Sequence, residues 1–330
     1  MTKCNYVVRS RNVEMTHEKV LITGGTGFIG SHLISALYDS SFSMYSLERY
    51  VTGRYVLGGR RKVKTVFGDL RDAFTVKKIV QEVQPDFVVH VAAISPVAYS
   101  FEHPNEVIEA NFVGTVNLAE ACLRKVPHFR QFLFASTSET YGWNNGQPLI
   151  EDSPQHPNSP YSVSKLSCEK YLLYLNKAYD FPVTILRNFN TYGRKRNAHF
   201  VVERTITQML QKDQVKLGDP TPIRDFEYLC DHVNSYVTCL NNSQAIGEVF
   251  NFCTGKGTSI EELVNLIADL TDYDGSIEWY TIPERPLEIE ILVGSYEKAK
   301  KVLDWEPKYD LETGLKECVQ YWKSILSPAS

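Results

Sequence analysis

The sequence predicts an α/β protein, a doubly wound parallel sheet with a smaller C-terminal lobe. Short β-branched or apolar runs alternate with stretches of helical periodicity as far as Arg187, the pattern of a parallel sheet whose crossovers are helices. The first run ends at Gly24-Gly25 and a helical stretch follows directly. Beyond Arg187 the alternation gives way to a loop rich in Asn, Arg and Gly and to shorter elements.

The elements follow in order. Lys19-Val20-Leu21-Ile22-Thr23 is the first strand, and Phe28, Ile29, Leu33, Ile34 and Leu37 mark the apolar face of the first helix. Buried strands are expected at Met44 to Leu47, Lys64 to Phe67, Asp86 to His90, Gln131 to Ala135 and Val183 to Arg187. Leucine-rich helices are expected at Glu106 to Leu123 and Ser164 to Ala178. After the Asn188 to Asn197 loop, helices are expected near Val201 to Leu210, Ile260 to Thr271, Tyr296 to Leu303 and Glu312 to Ile325. There is no internal repeat.

Composition narrows the classes of function. The 330 residues are 43% hydrophobic and 22% charged, with 19 Gly and 15 Pro, which excludes disordered and low-complexity chains. A net charge of −4 cannot supply the positive field that non-specific nucleic-acid binding needs. Seven scattered cysteines without a CxxC pair give neither a disulfide framework nor a zinc site, so reduced core thiols and no metal are expected. No window approaches 18 apolar residues, and residues 1–17 are polar and mixed in charge. The expectation is a cytoplasmic enzyme that contacts no membrane and carries a short N-terminal extension.

Thr23-Gly24-Gly25-Thr26-Gly27-Phe28-Ile29-Gly30 places Gly24, Gly27 and Gly30 between a strand and a helix. Glycines there admit a pyrophosphate to the backbone, and the helix N-terminus offers unpaired N–H donors. Glu48 stands at the end of the second strand, where an acid accepts from both ribose hydroxyls of NAD. Arg49 and Arg54 nearby leave NADP as an alternative. Asp69, in Gly68-Asp69-Leu70 after the third strand, faces either the adenine or a helix start as its cap.

Tyr161 and Lys165 lie four residues apart on one face of a helix that begins after Pro160. Using a phenol as a base near neutral pH calls for a depression of about three pKa units, and the Lys165 ammonium and the positive nicotinamide ring of an oxidised cofactor are the expected sources. Ala135-Ser136-Thr137-Ser138-Glu139-Thr140-Tyr141-Gly142 follows a strand directly, at the sheet edge where ligands bind.

With these three elements in order, residues 18 to 320 resemble the extended short-chain dehydrogenase/reductase family that modifies nucleotide sugars. His90-Val91-Ala92-Ala93, Asn111-Phe112-Val113-Gly114-Thr115, Arg187-Asn188-Phe189-Asn190-Thr191-Tyr192-Gly193, Arg224-Asp225-Phe226 and Arg285-Pro286 add to the likeness. Thr137-Ser138-Glu139 is similar to the segment of the GDP-mannose 4,6-dehydratases, whereas 4-epimerases of the family commonly have only small hydroxyl residues there. UDP-glucuronate decarboxylases share Thr-Ser-Glu and form the nearest alternative, with 4-epimerases next and a non-catalytic dinucleotide-binding protein last. Ser138 departs from the Asp of dTDP-glucose 4,6-dehydratases, and the glycine turn and Glu48 depart from the NADP-selecting pattern of GDP-mannose enzymes.

The resemblance implies a Rossmann domain over 18–188 with a return segment at 225–255, and a substrate lobe over 189–224 and 256–330. It implies NAD bound along Gly24, Gly27, Phe28, Ile29, Gly30, Glu48, Arg49, Asp69, Leu70, Ala92, Ala93 and Asn111. The substrate would meet Ser95, Asn190, Arg224 and Arg285, the last three at its diphosphate. Tyr161 would take the proton of the sugar 4-hydroxyl, with Thr137 on the C4 oxygen and Lys165 on the nicotinamide ribose. Glu139, beside Ser138, would take the C5 proton and protonate the departing C6 hydroxyl. A homodimer or higher homo-oligomer built on the Glu106 to Leu123 and Ser164 to Ala178 helices is implied as well.

Overall fold

The computed structural model describes residues 18–50, 63–194, 197–283 and 285–326. The expected N-terminal extension and Arg54 lie outside the described residues. From β1 (Lys19–Thr23) the chain runs through α1 (Phe28–Ala36), β2 (Ser43–Glu48), β3 (Val63–Phe67), α2 (Ala73–Val83) and β4 (Phe87–His90). Two short helices, α3 (Val97–Glu102) and α4 (Pro104–Ile108), lead through a π turn over Glu109–Val113 into α5 (Gly114–Lys125). Then come β5 (Gln131–Ala135), a 3₁₀ turn at Ser138–Thr140, α6 (Pro160–Tyr179) and β6 (Val183–Asn188).

The remaining elements are β7 (Asn190–Tyr192), α7 (Val201–Met209), β8 (Gln214–Lys216), β9 (Ile223–Tyr228), α8 (Leu229–Cys239) and β10 (Val249–Phe252). They continue with β11 (Gly257–Ser259), α9 (Ile260–Thr271), β12 (Ser276–Glu278), β13 (Ile291–Leu292), α10 (Glu297–Leu303) and α11 (Leu311–Leu326). Seven strands form one parallel sheet in the order β10-β6-β5-β4-β1-β2-β3. The strand order reverses direction at β1 and β4, which opens a crevice at their carboxyl ends. A four-stranded sheet of β7, β9, β11 and β13 and a β8–β12 pair lie beyond it.

Side-chain alternation divides the core between the two faces of the main sheet. Val20 and Ile22 of β1 join Phe87 and Val89 of β4 in a cluster with Leu33 and Ile34 of α1 and Val233 and Tyr236 of α8. Leu21 and Val88 point the other way, to Val80 of α2, Leu118 of α5 and Leu172 of α6. The inner strands β1, β4, β5 and β6 are buried on both faces, as parallel sheets require, whereas the edge strand β3 is largely exposed. Cys122, Cys168, Cys239, Cys253 and Cys318 are free and buried, whereas Cys230 is disulfide-bonded, so the expectation of reduced thiols holds for those five. No helix among the described residues is long and apolar enough to cross a membrane.

The expected Glu106 to Leu123 helix is not continuous. The π turn interrupts it and adds a residue to the local repeat, turning Asn111 into the interior. Apolar periodicity carries no record of such a turn. Helix α6 begins at Pro160, where the Tyr161 and Lys165 pair required it and ahead of the leucine-rich stretch expected from Ser164, because Ser159 caps it reciprocally with Ser162 and the proline occupies its first position.

Candidate active site

The glycine turn is built as a cradle. Gly24 has φ of +70° and its backbone lies against Ala92, where an added Cβ would meet the Ala92 Cα at 3.1 Å. A Cβ on Gly30 would stand 2.2 Å from the Gly24 carbonyl oxygen, and one on Gly27 3.0 Å from it. Gly27 is the N-cap of α1 and has no side chain to satisfy the first helical N–H groups, of which those on Phe28 and Ile29 are two. These donors and the helix dipole form an anion site. The residues present therefore fit a dinucleotide pyrophosphate.

Glu48, expected as the acceptor for the ribose hydroxyls of NAD, is buried, and its carboxylate accepts from Thr26 N–H at 2.9 Å, the Thr26 hydroxyl at 2.7 Å and the Ser46 hydroxyl at 2.5 Å. The acid thus braces the glycine turn from below. Asp69 pairs with Arg71 at 2.6 Å, which holds its carboxyl below the usual range, and the cap of α2 is Asp72. Arg49 is exposed and stacks on Tyr50 at 4.7 Å. The Leu70 carbonyl accepts from Asn117 at 2.9 Å.

A directed hydrogen-bond chain links the ends of β1 and β4. Ala92 N–H donates to the Thr23 hydroxyl, which donates to His90 Nδ1; His90 Nε2–H then donates to Thr115, and Thr115 to the Asn111 carbonyl. Burial lowers the His90 pKa to about 3, so the ring is neutral and its tautomer follows from the chain. Asn111, expected on the cofactor, spends its amide on Ile94 N–H, the Ile94 carbonyl and the Ser164 hydroxyl. It clamps the Ala93–Ser95 loop, where Ala93 and Ser95 are exposed, to the helix that carries Tyr161.

Thr137, Glu139 and Tyr161 come together at the end of β5. Thr137 caps the 3₁₀ turn by accepting from Glu139 N–H at 3.2 Å, and its side chain also bonds the Tyr161 phenol. Burial and the Glu139 charge push the phenol up, while Thr137 and Arg194 pull it down. Lys165 is not among its main influences, contrary to the expectation. The Lys165 ammonium donates to the Ala135 carbonyl at 2.7 Å and is lowered to about 8 by burial. Ser138, between Thr137 and Glu139, is buried.

Glu139 is 8% exposed, and its Oε2 is buried without a hydrogen-bond partner. Burial raises its carboxyl, Arg285 and Arg224 lower it, and Glu288 raises it further. Asn190 Oδ1 is a second buried atom without a partner. Arg224 and Arg285 share Glu288, at 2.6 and 3.5 Å. Sequence reasoning missed Glu288, although its place three residues after Arg285 offered a short-range signal. It also missed Arg194, whose guanidinium lies 4.8 Å over Phe28 at the start of α1 and for which no spacing gave a hint.

A crevice with a pyrophosphate cradle at one end and a phenol, a hydroxyl and a carboxyl at the other defines a dinucleotide-dependent oxidoreductase-type site. The comparisons with known proteins carry this further. The family model described as GDP-mannose 4,6 dehydratase matches residues 21–318, and the chain belongs to this family of NAD-dependent nucleotide-sugar epimerases and dehydratases. The UDP-glucose 4-epimerase of Halalkalibacterium halodurans is 31% identical over 89% of this chain and 92% of its own length. The crystal structure of UDP-glucose 4-epimerase with UDP-glucose from Thermotoga maritima has a TM-score of 0.86 at 30% identity, covering 94% of this chain and 100% of the other. That of dTDP-glucose 4,6-dehydratase from Bacillus anthracis in complex with NAD has a TM-score of 0.82 at 27% identity, covering 93% and 97%.

Proposed function

We propose that the protein is a nucleotide-sugar 4,6-dehydratase, converting a nucleoside-diphosphate hexose to its 4-keto-6-deoxy product, with GDP-mannose the first substrate to test. The observation that carries this is the Glu139 carboxyl, buried within electrostatic reach of Tyr161 and with one oxygen unpartnered. Inverting C4 alone needs one proton-transfer group at that carbon. Removing a C5 proton and expelling a C6 hydroxyl needs a second.

NAD, with NADP as the alternative, would lie on the Gly24–Gly30 cradle and supply a reversible hydride acceptor for the sugar. Tyr161 takes the proton of the C4 hydroxyl, with the positive nicotinamide ring of bound NAD expected to offset the burial and the Glu139 charge that raise its phenol in the chain alone, and Thr137 holds the oxygen as it becomes a ketone. The ketone acidifies the C5–H bond. Glu139 takes that proton and delivers one to the C6 hydroxyl, which departs as water; the hydride lent from C4 would then return to C6 and a solvent-exchangeable proton to C5, which gives the 4-keto-6-deoxy sugar in a redox-neutral cycle. Its raised carboxyl makes the proton easier to hold between the two transfers. Lys165 orients the ribose beside Tyr161, and Asn190, Arg224 and Arg285 meet the diphosphate. In the same reading Glu48, through Thr26, sets the depth at which the adenosine ribose sits. A homodimer on α5 and α6 also belongs to it, supported by the exposed Val113, Val163, Tyr174 and Tyr179. The enzyme would work in the cytoplasm.

A UDP-hexose 4-epimerase is the second reading, favoured by the identity to the Halalkalibacterium halodurans enzyme. Incubation with GDP-mannose, dTDP-glucose, UDP-glucose, UDP-N-acetylglucosamine and UDP-glucuronate, followed by mass spectrometry, separates the readings. Loss of water supports the dehydratase. Loss of carbon dioxide or an unchanged mass with altered sugar couplings rejects it.

A further inference from the structure

Two cations of the C-terminal region converge on one carboxylate oxygen. Arg224 on β9 donates from Nη2 to Glu288 Oε1 at 2.6 Å, and Arg285 Nη1 approaches the same atom at 3.5 Å. The Ile289 N–H donates to it as well, at 3.2 Å. The partners are not held equally. Arg224 is buried, and its Nη1 donates to the Ile223 carbonyl at 2.9 Å and reaches the Glu290 carbonyl at 3.5 Å. Its guanidinium plane is therefore fixed by backbone, with or without Glu288. The Glu288 side chain is 34% exposed, so water reaches it. Both arginines and Glu288 act electrostatically on Glu139, so the cluster borders the reacting end of the crevice.

We infer that Glu288 is a placeholder anion, which holds the Arg224 and Arg285 donors until a nucleoside diphosphate displaces it and which thereby sets the affinity of the site. The inference rests on reading these arginines as the diphosphate contact. A buried guanidinium without a counter-charge is costly, so an internal carboxylate stabilises the chain alone. The same carboxylate competes with any incoming anion. Because Arg224 stays anchored when Glu288 leaves, removing the competing charge strengthens ligand binding. Were Glu288 needed to position Arg224, its removal would weaken binding.

The test is calorimetric titration of the full-length protein, saturated with NAD, with UDP, GDP and dTDP. For the nucleotide that binds, Glu288→Gln is expected to lower Kd about tenfold. Glu288→Asp keeps the charge and is expected to stay within about twofold of the parent. Arg224→Gln is expected to weaken binding by a factor of about 100. An unchanged or higher Kd in Glu288→Gln, while Arg224→Gln still weakens binding, overturns the placeholder role alone. Glu288→Asp binding as tightly as Glu288→Gln overturns it too, since charge would not then be the cause. Nucleotide binding insensitive to Arg224→Gln, or absent from both parent and Glu288→Gln, overturns the diphosphate reading and this inference with it. An unchanged NAD affinity in each variant shows that the fold is intact.

Discussion

Burial raises both the Glu139 carboxyl and the Tyr161 phenol, and the Glu139 charge pushes the phenol up further, at the place where the sugar would react. The Glu139 carboxyl has a folded-state pKa above its unfolded value. It therefore favours the folded chain at acid pH, where it is protonated, and that contribution is lost as pH rises through the raised value. Glu139→Gln should raise the melting temperature at pH 8 by about 1–3 °C and leave it nearly unchanged at pH 4. Differential scanning calorimetry at the two pH values reads this directly. The same variant should lose water elimination by about 10²–10⁴-fold while oxidation at C4, followed at 340 nm in a single turnover, persists. At this scale the sequence showed Thr137, Glu139 and Tyr161 as one group, because their chemistry is local to a strand end and a helix start. It did not show Glu48 turned inward, since a hydrogen bond to Thr26 depends on how β1 and β2 pair. Nor did it show Lys165 directed at Ala135, an acceptor 30 residues away.

Elements position these side chains through a few tight constraints. A methyl group on Gly30 would stand 2.2 Å from the Gly24 carbonyl, so α1 could no longer sit against the turn. Gly30→Ala should destabilise the protein by about 1–3 kcal/mol and weaken NAD binding by at least about 100-fold, measured by denaturant unfolding and by calorimetric titration. Of the main-sheet strands, β1 and β5 were legible to the residue and β2, β3, β4 and β6 to within a residue at either end, most plainly where a strand buried on both faces leaves an unbroken apolar run. The π turn at Glu109–Val113 was not legible. Its cause is tertiary: Asn111 must reach both Ile94 and Ser164, and a regular helix does not turn it there. The return of β10 to the edge of the main sheet was seen as a segment, not as a strand, since Val249–Phe252 is short and follows a long excursion.

Across the whole molecule a buried ion pair joins the parts that carry the site. Arg187 at the end of β6 grips Glu169 of α6 through Nε and Nη2, at 3.0 and 2.7 Å, and Ser136 beyond β5 donates to the same carboxylate. Arg187 also donates to Tyr141 at 2.8 Å, and Tyr141 to Asn251 of β10 at 2.6 Å. Arg187→Leu leaves Glu169 buried and unpaired and should cost about 3–5 kcal/mol. Adding Glu169→Gln should recover part of that loss in urea unfolding. The sequence offered Arg187 only within a motif, because its partner lies 18 residues away on another element. The pairing frames Tyr161 and Glu139 against each other, and the chemistry depends on that frame. The most direct test is turnover of the accepted nucleotide sugar in deuterated water, with the product analysed by mass spectrometry and NMR. A product lighter by one water, with solvent deuterium at C5 and formed only when Glu139 is intact, is the expected result. A product of unchanged mass, inverted at C4 and free of deuterium, would contradict it.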